Sequence, residues 1–256
     1  MKKVLVITDV TRMREGRVCI AGYDRDGNCI RPTLPPPGIS EAALYVQGNP
    51  TLIPFAEIEC DLLQPIPDPP HVEDCRYNPQ SIRFLRRLRE DEKKVILEKT
   101  LFPSLSALLE TPIHTGQGYY VLTGRGPRSL GTIRPKAVLE VIYGIHEGRN
   151  PEYRLVFVDG DSVERNLPIT DLSWRYYLDY MRGQGLRPNR VASDLLMVLR
   201  SVEVFLRIGL ARGWEKFPDR CYIQIVGIHT FPDFLKGRTF ADFAPDRPTT
   251  TVDENP

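Results

Sequence analysis

The chain has 256 residues, 41% hydrophobic and 26% charged, the balance of a globular protein able to bury a full-sized core and not of a disordered chain. Lys and Arg number 34 against 33 Asp and Glu, a net charge of +1, so no global field draws a polyanion and any nucleic-acid surface must be local. No apolar stretch approaches the ~18–20 residues of a membrane span. The start, Met1–Ile7, meets Thr8-Asp9 too soon for a signal peptide, and a cytoplasmic protein without a membrane segment is the expectation. Cys19, Cys29, Cys60, Cys75 and Cys221 form no C-x-x-C pair and sit mostly in apolar runs, which points to reduced, packed thiols.

Lys3–Val10 reads as a first strand. In Val18–Pro36 two strand-like runs flank Asp24-Arg25-Asp26-Gly27-Asn28, a hairpin turn in which Gly27 supplies the positive φ. Arg31-Pro32 and Pro35-Pro36-Pro37 stop the second run, because proline donates nothing to a ladder. Pro35–Pro50 reads as a loop, Ile58–Leu63 as a strand and Gln64–Pro70 as an extended, proline-bearing connector. Asn78–Ser81 then predicts a helix start with Ser81 as N-cap. Ile82, Leu85, Leu88, Val95 and Ile96 would line one side of that helix, opposite Arg83, Arg86, Arg87 and Arg89. Ser104–Leu109 predicts a second, short helix.

At Gly116 the composition turns to glycine, arginine and tyrosine, and a domain boundary is placed there. Val138–Tyr143 and Tyr153–Val158 read as strands. Asp171-Leu172-Ser173 starts a helix with Trp174, Tyr177, Leu178 and Met181 at i, i+3, i+4 and i+7, stopped by Gly183. Val191–Leu199 reads as a further helix. Val204–Leu210 alternates as a strand with one buried face, and Tyr222–Val226 returns. Phe231, Phe234, Phe240 and Phe243 read as an aromatic clasp for the C-terminal segment, and the tail 245–256 as disordered.

The hairpin has a looser copy in Tyr153–Pro168, with Asp159-Gly160-Asp161 as the turn and Arg165 in the place of Arg31. Ile53–Cys60 likewise echoes Ile133–Val141. These echoes point to two related β units, a mainly β fold with helical insertions (α+β).

Four histidines, His71, His114, His146 and His229, lack the spacing of a metal site. The nearest to a ligand set is His71, Glu73 and Asp74, which could hold a divalent ion or trade a proton. A polar loop whose carboxylates accept backbone N–H groups fits the same residues. No nucleophile elbow, Walker loop or dinucleotide fingerprint occurs, and no cofactor is expected. Gly116–Lys136 carries Arg125, Arg128, Arg134 and Lys136 without one acid, beside Tyr119-Tyr120. Cations neutralise phosphates and tyrosine faces stack bases, although a solvated glycine-rich hairpin would read the same way. Phe205 and Arg207, with Arg212, interleave ring and charge on the outer face of the Val204 strand. Arg31 and Arg165 are a third basic pair, each with an aspartate nearby.

The order TDVTR, GRVCIAGYDRDGNCIRP, IPFAEIECDLL, PPHVEDCRY and a late FLRIGLAR resembles a bacterial group described as dual OB-containing domains, over most of the chain. The resemblance implies two OB-like β-barrel units, here 1–115 with a helical insertion and 116–244 with helices, and a nucleic-acid role with no catalytic residues to carry over. The expected function is non-catalytic binding of RNA or single-stranded DNA. A metal-dependent, nuclease-like enzyme and a protein–protein adaptor with its own protein partner are the alternatives.

Overall fold

The structure is a computed structural model, and residues 1–145 and 151–245 are described. It is mainly β and contains a closed five-stranded barrel. The barrel strands are β1 (Lys2–Arg12), β2 (Arg17–Asp24), β3 (Cys29–Thr33), β4 (Ala56–Pro65) and β5 (Asp74–Arg87). They pair in the order β1-β4-β5-β3-β2 and close through β1–β2. Only β3–β5 is parallel, with Arg31 opposite Asp74. β4 shows why the chain chooses this: Ala56, Ile58, Cys60 and Leu62 point into the core while Glu57, Glu59 and Asp61 point out, the period-two pattern of a half-buried strand.

Residues 81–87 are strand, not helix, which corrects the expectation from spacing. Ladder partners settle it: Glu57 faces Arg86 and Glu59 faces Arg83, and both pairs close as ion pairs at 2.7 and 3.1 Å. Ser81 caps no helix. Its hydroxyl accepts from the Asp61 amide and donates to the Asn78 carbonyl, spanning a bulge in which 79–82 leave the ladder. The helix α1 starts later, over Glu90–Lys99. After it, α2 (Leu105–Leu109) starts at Ser104, whose hydroxyl accepts from the Ala107 amide, as expected.

The remaining strands are β6 (Tyr119–Leu122), β7 (Leu130–Ile133), β8 (Ala137–Gly144), β9 (Glu152–Val158) and β10 (Glu164–Pro168). Helices α3 (Leu172–Gly183) and α4 (Pro188–Ser201), strands β11 (Glu203–Leu210) and β12 (Arg220–Phe231), and α5 (Phe240–Phe243) follow. β6, β12, β11 and β7 form one sheet and β8, β9 and β10 another. Ile169, just past β10, bridges Ile225 of β12 in parallel, which links the two sheets. Arg200 of α4 donates to the Val138 and Leu139 carbonyls of β8.

Asp171 caps α3, accepting from the Ser173 and Trp174 amides, as its position before an apolar run predicts. The aromatic clasp forms without Phe231: Phe234 stacks on Trp174 with centroids 5.8 Å apart and Phe240 and Phe243 are buried, whereas Phe231 meets Phe205 edge to face at 5.6 Å. β11 departs from expectation by being buried on both faces from Val204 to Leu210, because its second face packs toward β1 and β2. One continuous core holds Leu5, Ile58 and Tyr77 together with Leu155, Leu178 and Ile208. All five cysteines are free thiols. Of the expected tail 245–256, residues 246–256 lie outside the described residues, as does His146. Among the described residues no helix is long and apolar enough to cross a membrane.

The two hairpins share one turn geometry. The Asp24 carboxylate accepts from the amides of Asp26 and Asn28, and that of Asp159 from the amides of Asp161 and Val163. Asp24 equals Asp159, Gly27 equals Ser162 (φ +84° and +63°), and the Gly22–Ile30 ladder pair equals Phe157–Arg165. Arg165 therefore stands in the place of Ile30, and Arg31 in that of Asn166. The sequence alignment of Arg31 with Arg165 is one residue out. Ile53–Cys60 and Ile133–Val141 occupy different strands, so that echo carries no structural equivalence.

Candidate nucleic-acid interface

His114, Tyr120 and Tyr222 stand opposite one another on three neighbouring strands: the short His114–Thr115 strand, β6 and β12. Cross-strand pairing brings their rings together, His114 over Tyr120 at 5.3 Å and Tyr120 beside Tyr222 at 5.7 Å. Two residues before Tyr222, and so on the same strand face, Arg220 lays its guanidinium 4.7 Å from the Tyr120 centroid and 4.2 Å from that of Phe217. Phe217 belongs to the β11–β12 loop, whose Trp214 and Phe217 exchange backbone hydrogen bonds and meet edge to face at 5.6 Å. Lys216 lies 5.4 Å from the Phe217 centroid. Arg14, from the β1–β2 loop of the barrel, lies 5.9 Å from that of Trp214. Ring and cation contacts thus run without a break from Arg14 to His114.

Trp214 is 43% exposed, a high value for so large an apolar side chain. Arg14, Lys216 and Arg220 have no acidic partner within ion-pair distance among the described residues, whereas Arg83, Arg86 and Arg134 are each paired. Glu215 and Asp219 are the acids on the same loop.

Of the residues singled out from sequence, Tyr120 belongs to this surface. Tyr119 faces the other side of β6, where the Arg165 guanidinium lies 5.1 Å from its ring. Arg125 is exposed on the loop after β6, where the Thr123 amide donates to the Asp219 carbonyl. The rest of the acid-free stretch is spent locally. Arg128 donates to the Leu108 carbonyl and Glu110, Arg134 pairs with Glu203 at 2.5 Å, and Lys136 bonds the Ser162 hydroxyl.

Phe205 and Arg207 are wholly buried, which corrects their reading as an outer face. Arg31 and Arg165 are buried in ion pairs with Asp74 and Asp159, at 2.5 and 3.0 Å. The sequence signal for Trp214, Lys216, Phe217, Arg220 and Tyr222 is an aromatic–basic run, but the first four read simply as the turn between two strands and Tyr222 as the start of the returning strand.

His71, Glu73 and Asp74 are brought near one another and turned to separate tasks. Glu73 accepts from the amides of Ser129 and Leu130 and from the Ser129 hydroxyl. Asp74 is held between Arg31 and Arg212. His71 faces Cys221 through Nε2 at 3.8 Å, and burial, with Arg31 and Arg212 nearby, pushes its pKa down to about 3. No group of three such side chains able to hold a metal ion occurs among the described residues.

Comparison with protein-family models, curated proteins and solved structures yields no match to this chain.

Proposed function

We propose that the protein binds single-stranded nucleic acid, RNA or DNA, along the surface from Arg14 to His114, and does no chemistry on it. The observation that carries this is the continuous run of ring and cation contacts, with Trp214 exposed and Arg14, Lys216 and Arg220 outside ion-pair distance of any acid among the described residues. Such a surface offers what an unpaired strand needs, π faces for bases and positive charge for phosphates.

The barrel supports the same reading. Its order, β1-β2-β3-β5-β4 and back to β1, suits a five-stranded Greek-key barrel of the OB type, in which the loops joining strands one to two and four to five engage the ligand. Arg14 is on such a first loop. The second unit can be followed in the same order, β7 and β8 taken as one strand interrupted at Pro135, then β9, β10, β12 and β11. In that ring Trp214 and Phe217 sit on the loop between the fourth and fifth strands. We read the chain on these grounds as two OB-like units meeting at one ligand surface.

Fluorescence anisotropy with labelled oligonucleotides of 8–16 bases, a length range of about one to two OB sites, tests it. Binding that weakens with salt is expected. No binding at 20–50 mM salt, roughly where phosphate contacts are strongest, would overturn it.

A further inference from the structure

A cavity of about 160 Å³ lies away from this surface, between the barrel and the C-terminal segment. Phe55, Lys93, Trp174, His229, Thr230 and Arg238 are among its walls. His229 and Tyr222 are roughly 23 Å apart along β12 at ~3.3 Å per residue, so the cavity and the aromatic surface are separate places.

The chemistry of the walls is selective. His229 is 8% exposed, and its Nε2 lies 3.1 Å from the Thr8 carbonyl, which can only accept, so Nε2 carries the proton. Nδ1 is then a lone-pair acceptor, and it has no partner among the described residues. An occupant that reaches it would present an N–H or O–H. Asp171 offers little to a ligand, since its two oxygens already accept from the amides of Ser173, Trp174 and Ile228. Phe55 and Trp174 supply flat apolar faces. At the edge, Arg87 is exposed and has no acidic partner among the described residues. Arg238 hydrogen-bonds only through Nε, toward the Leu235 carbonyl, with its guanidinium 4.9 Å from the Phe243 centroid, and Lys93 shares its charge with Asp233 at 3.2 Å. A closed space of about 150 Å³ holds one six-membered ring.

We propose that this cavity is a binding site for a single-ring heterocycle bearing an anionic group, the chemistry of a pyrimidine nucleoside monophosphate, with a ring N–H or amino group on His229 Nδ1 and the phosphate at Arg87 and Arg238. The occupant could come as a free nucleotide or as the unstacked end of a strand, and both share that chemistry.

Isothermal titration of the full chain with UMP, CMP, AMP and inorganic phosphate tests the site. UMP or CMP is expected to bind, Arg87→Ala to weaken it about tenfold through loss of a charge-assisted contact, and Trp214→Ala to leave it unchanged. Displacement of UMP by a short 3′-phosphorylated oligo-dU would make the strand end the source, and its failure would make the free nucleotide the source. Absence of heat with both pyrimidine nucleotides at millimolar concentration would overturn the proposal. So would phosphate or AMP binding as tightly as UMP, or UMP binding unaltered in both Arg87→Ala and Arg238→Ala. Because Trp214→Ala removes the strand surface and not the cavity, failure of one site is distinguishable from failure of the other.

Discussion

Arg207 on β11 donates through Nε and Nη2 to the two carboxylate oxygens of Asp9 on β1, at 2.8 and 2.7 Å, across 198 residues of sequence. Both side chains are essentially inaccessible, and Nη1 completes the set with the Tyr23 and Thr132 hydroxyls. A buried pair offsets its desolvation only while both charges and their hydrogen bonds are present. Asp9→Leu or Arg207→Met should each destabilise by ~3–5 kcal/mol, the cost of an orphaned buried charge. The combination Asp9→Leu with Arg207→Met should cost far less than the two single losses added together. Urea unfolding of the four proteins in a double-mutant cycle reads the coupling, and additive losses would contradict it.

Three buried groups set opposing pH dependences. Burial pushes His71 to about 3 and His229 to about 4, both below the unfolded value of 6.5. The unfolded chain therefore takes up these protons first, and stability present above pH 6.5 is lost as pH falls toward 4. Burial raises Asp171 to about 7 from 3.8, so its contribution runs the other way, greatest below 3.8 and lost as pH rises through 7. Two histidines against one aspartate leave a net loss toward acid, of about tenfold in the folding constant per pH unit between 6 and 4. Asp171→Asn should steepen this acid limb by removing the counter-slope. Urea midpoints measured from pH 4 to 8 check both statements.

On the aromatic surface, Trp214→Ala and Tyr120→Ala should each weaken oligonucleotide binding by ~5–100-fold, from a stacking worth of ~1–3 kcal/mol per base. Arg220→Ala should weaken binding and lower the salt slope by about one. Arg134→Ala should leave both unchanged, because its charge is already engaged by Glu203. Anisotropy titrations at several salt concentrations separate these outcomes. An effect of Arg134→Ala equal to that of Arg220→Ala would move the interface elsewhere.

The equivalent turns predict unequal glycine replacements. A Cβ on Gly160 would overlap the Pro103 carbonyl, where the second turn docks against the start of α2. There Asp161 is held below its ordinary carboxylate value by hydrogen bonds to Ser106 and Ser104. Gly160→Ala should destabilise by ~2–3 kcal/mol through forced backbone movement. Gly27→Ala meets only open space and a φ of +84°, and should cost about 1 kcal/mol. Thermal unfolding of the two variants ranks them.

The amino-acid sequence by itself determined the features whose causes are local. The alternation of Ala56–Leu62, the doubled aspartate hairpin, and the starts of α2 at Ser104 and α3 at Asp171 each follow from side-chain period or from a hydrogen bond within a few residues. Only the tertiary structure decided the rest. Spacing made 81–87 a helix, and pairing with Glu57 and Glu59 on β4 made it a strand. Arg207 carries the same charge as Arg220, yet one is sealed against Asp9 and the other lies half-buried between Tyr120 and Phe217. A side chain's period and capping chemistry are properties of its neighbours along the chain. Its burial and its partners are set by which distant strands close against it.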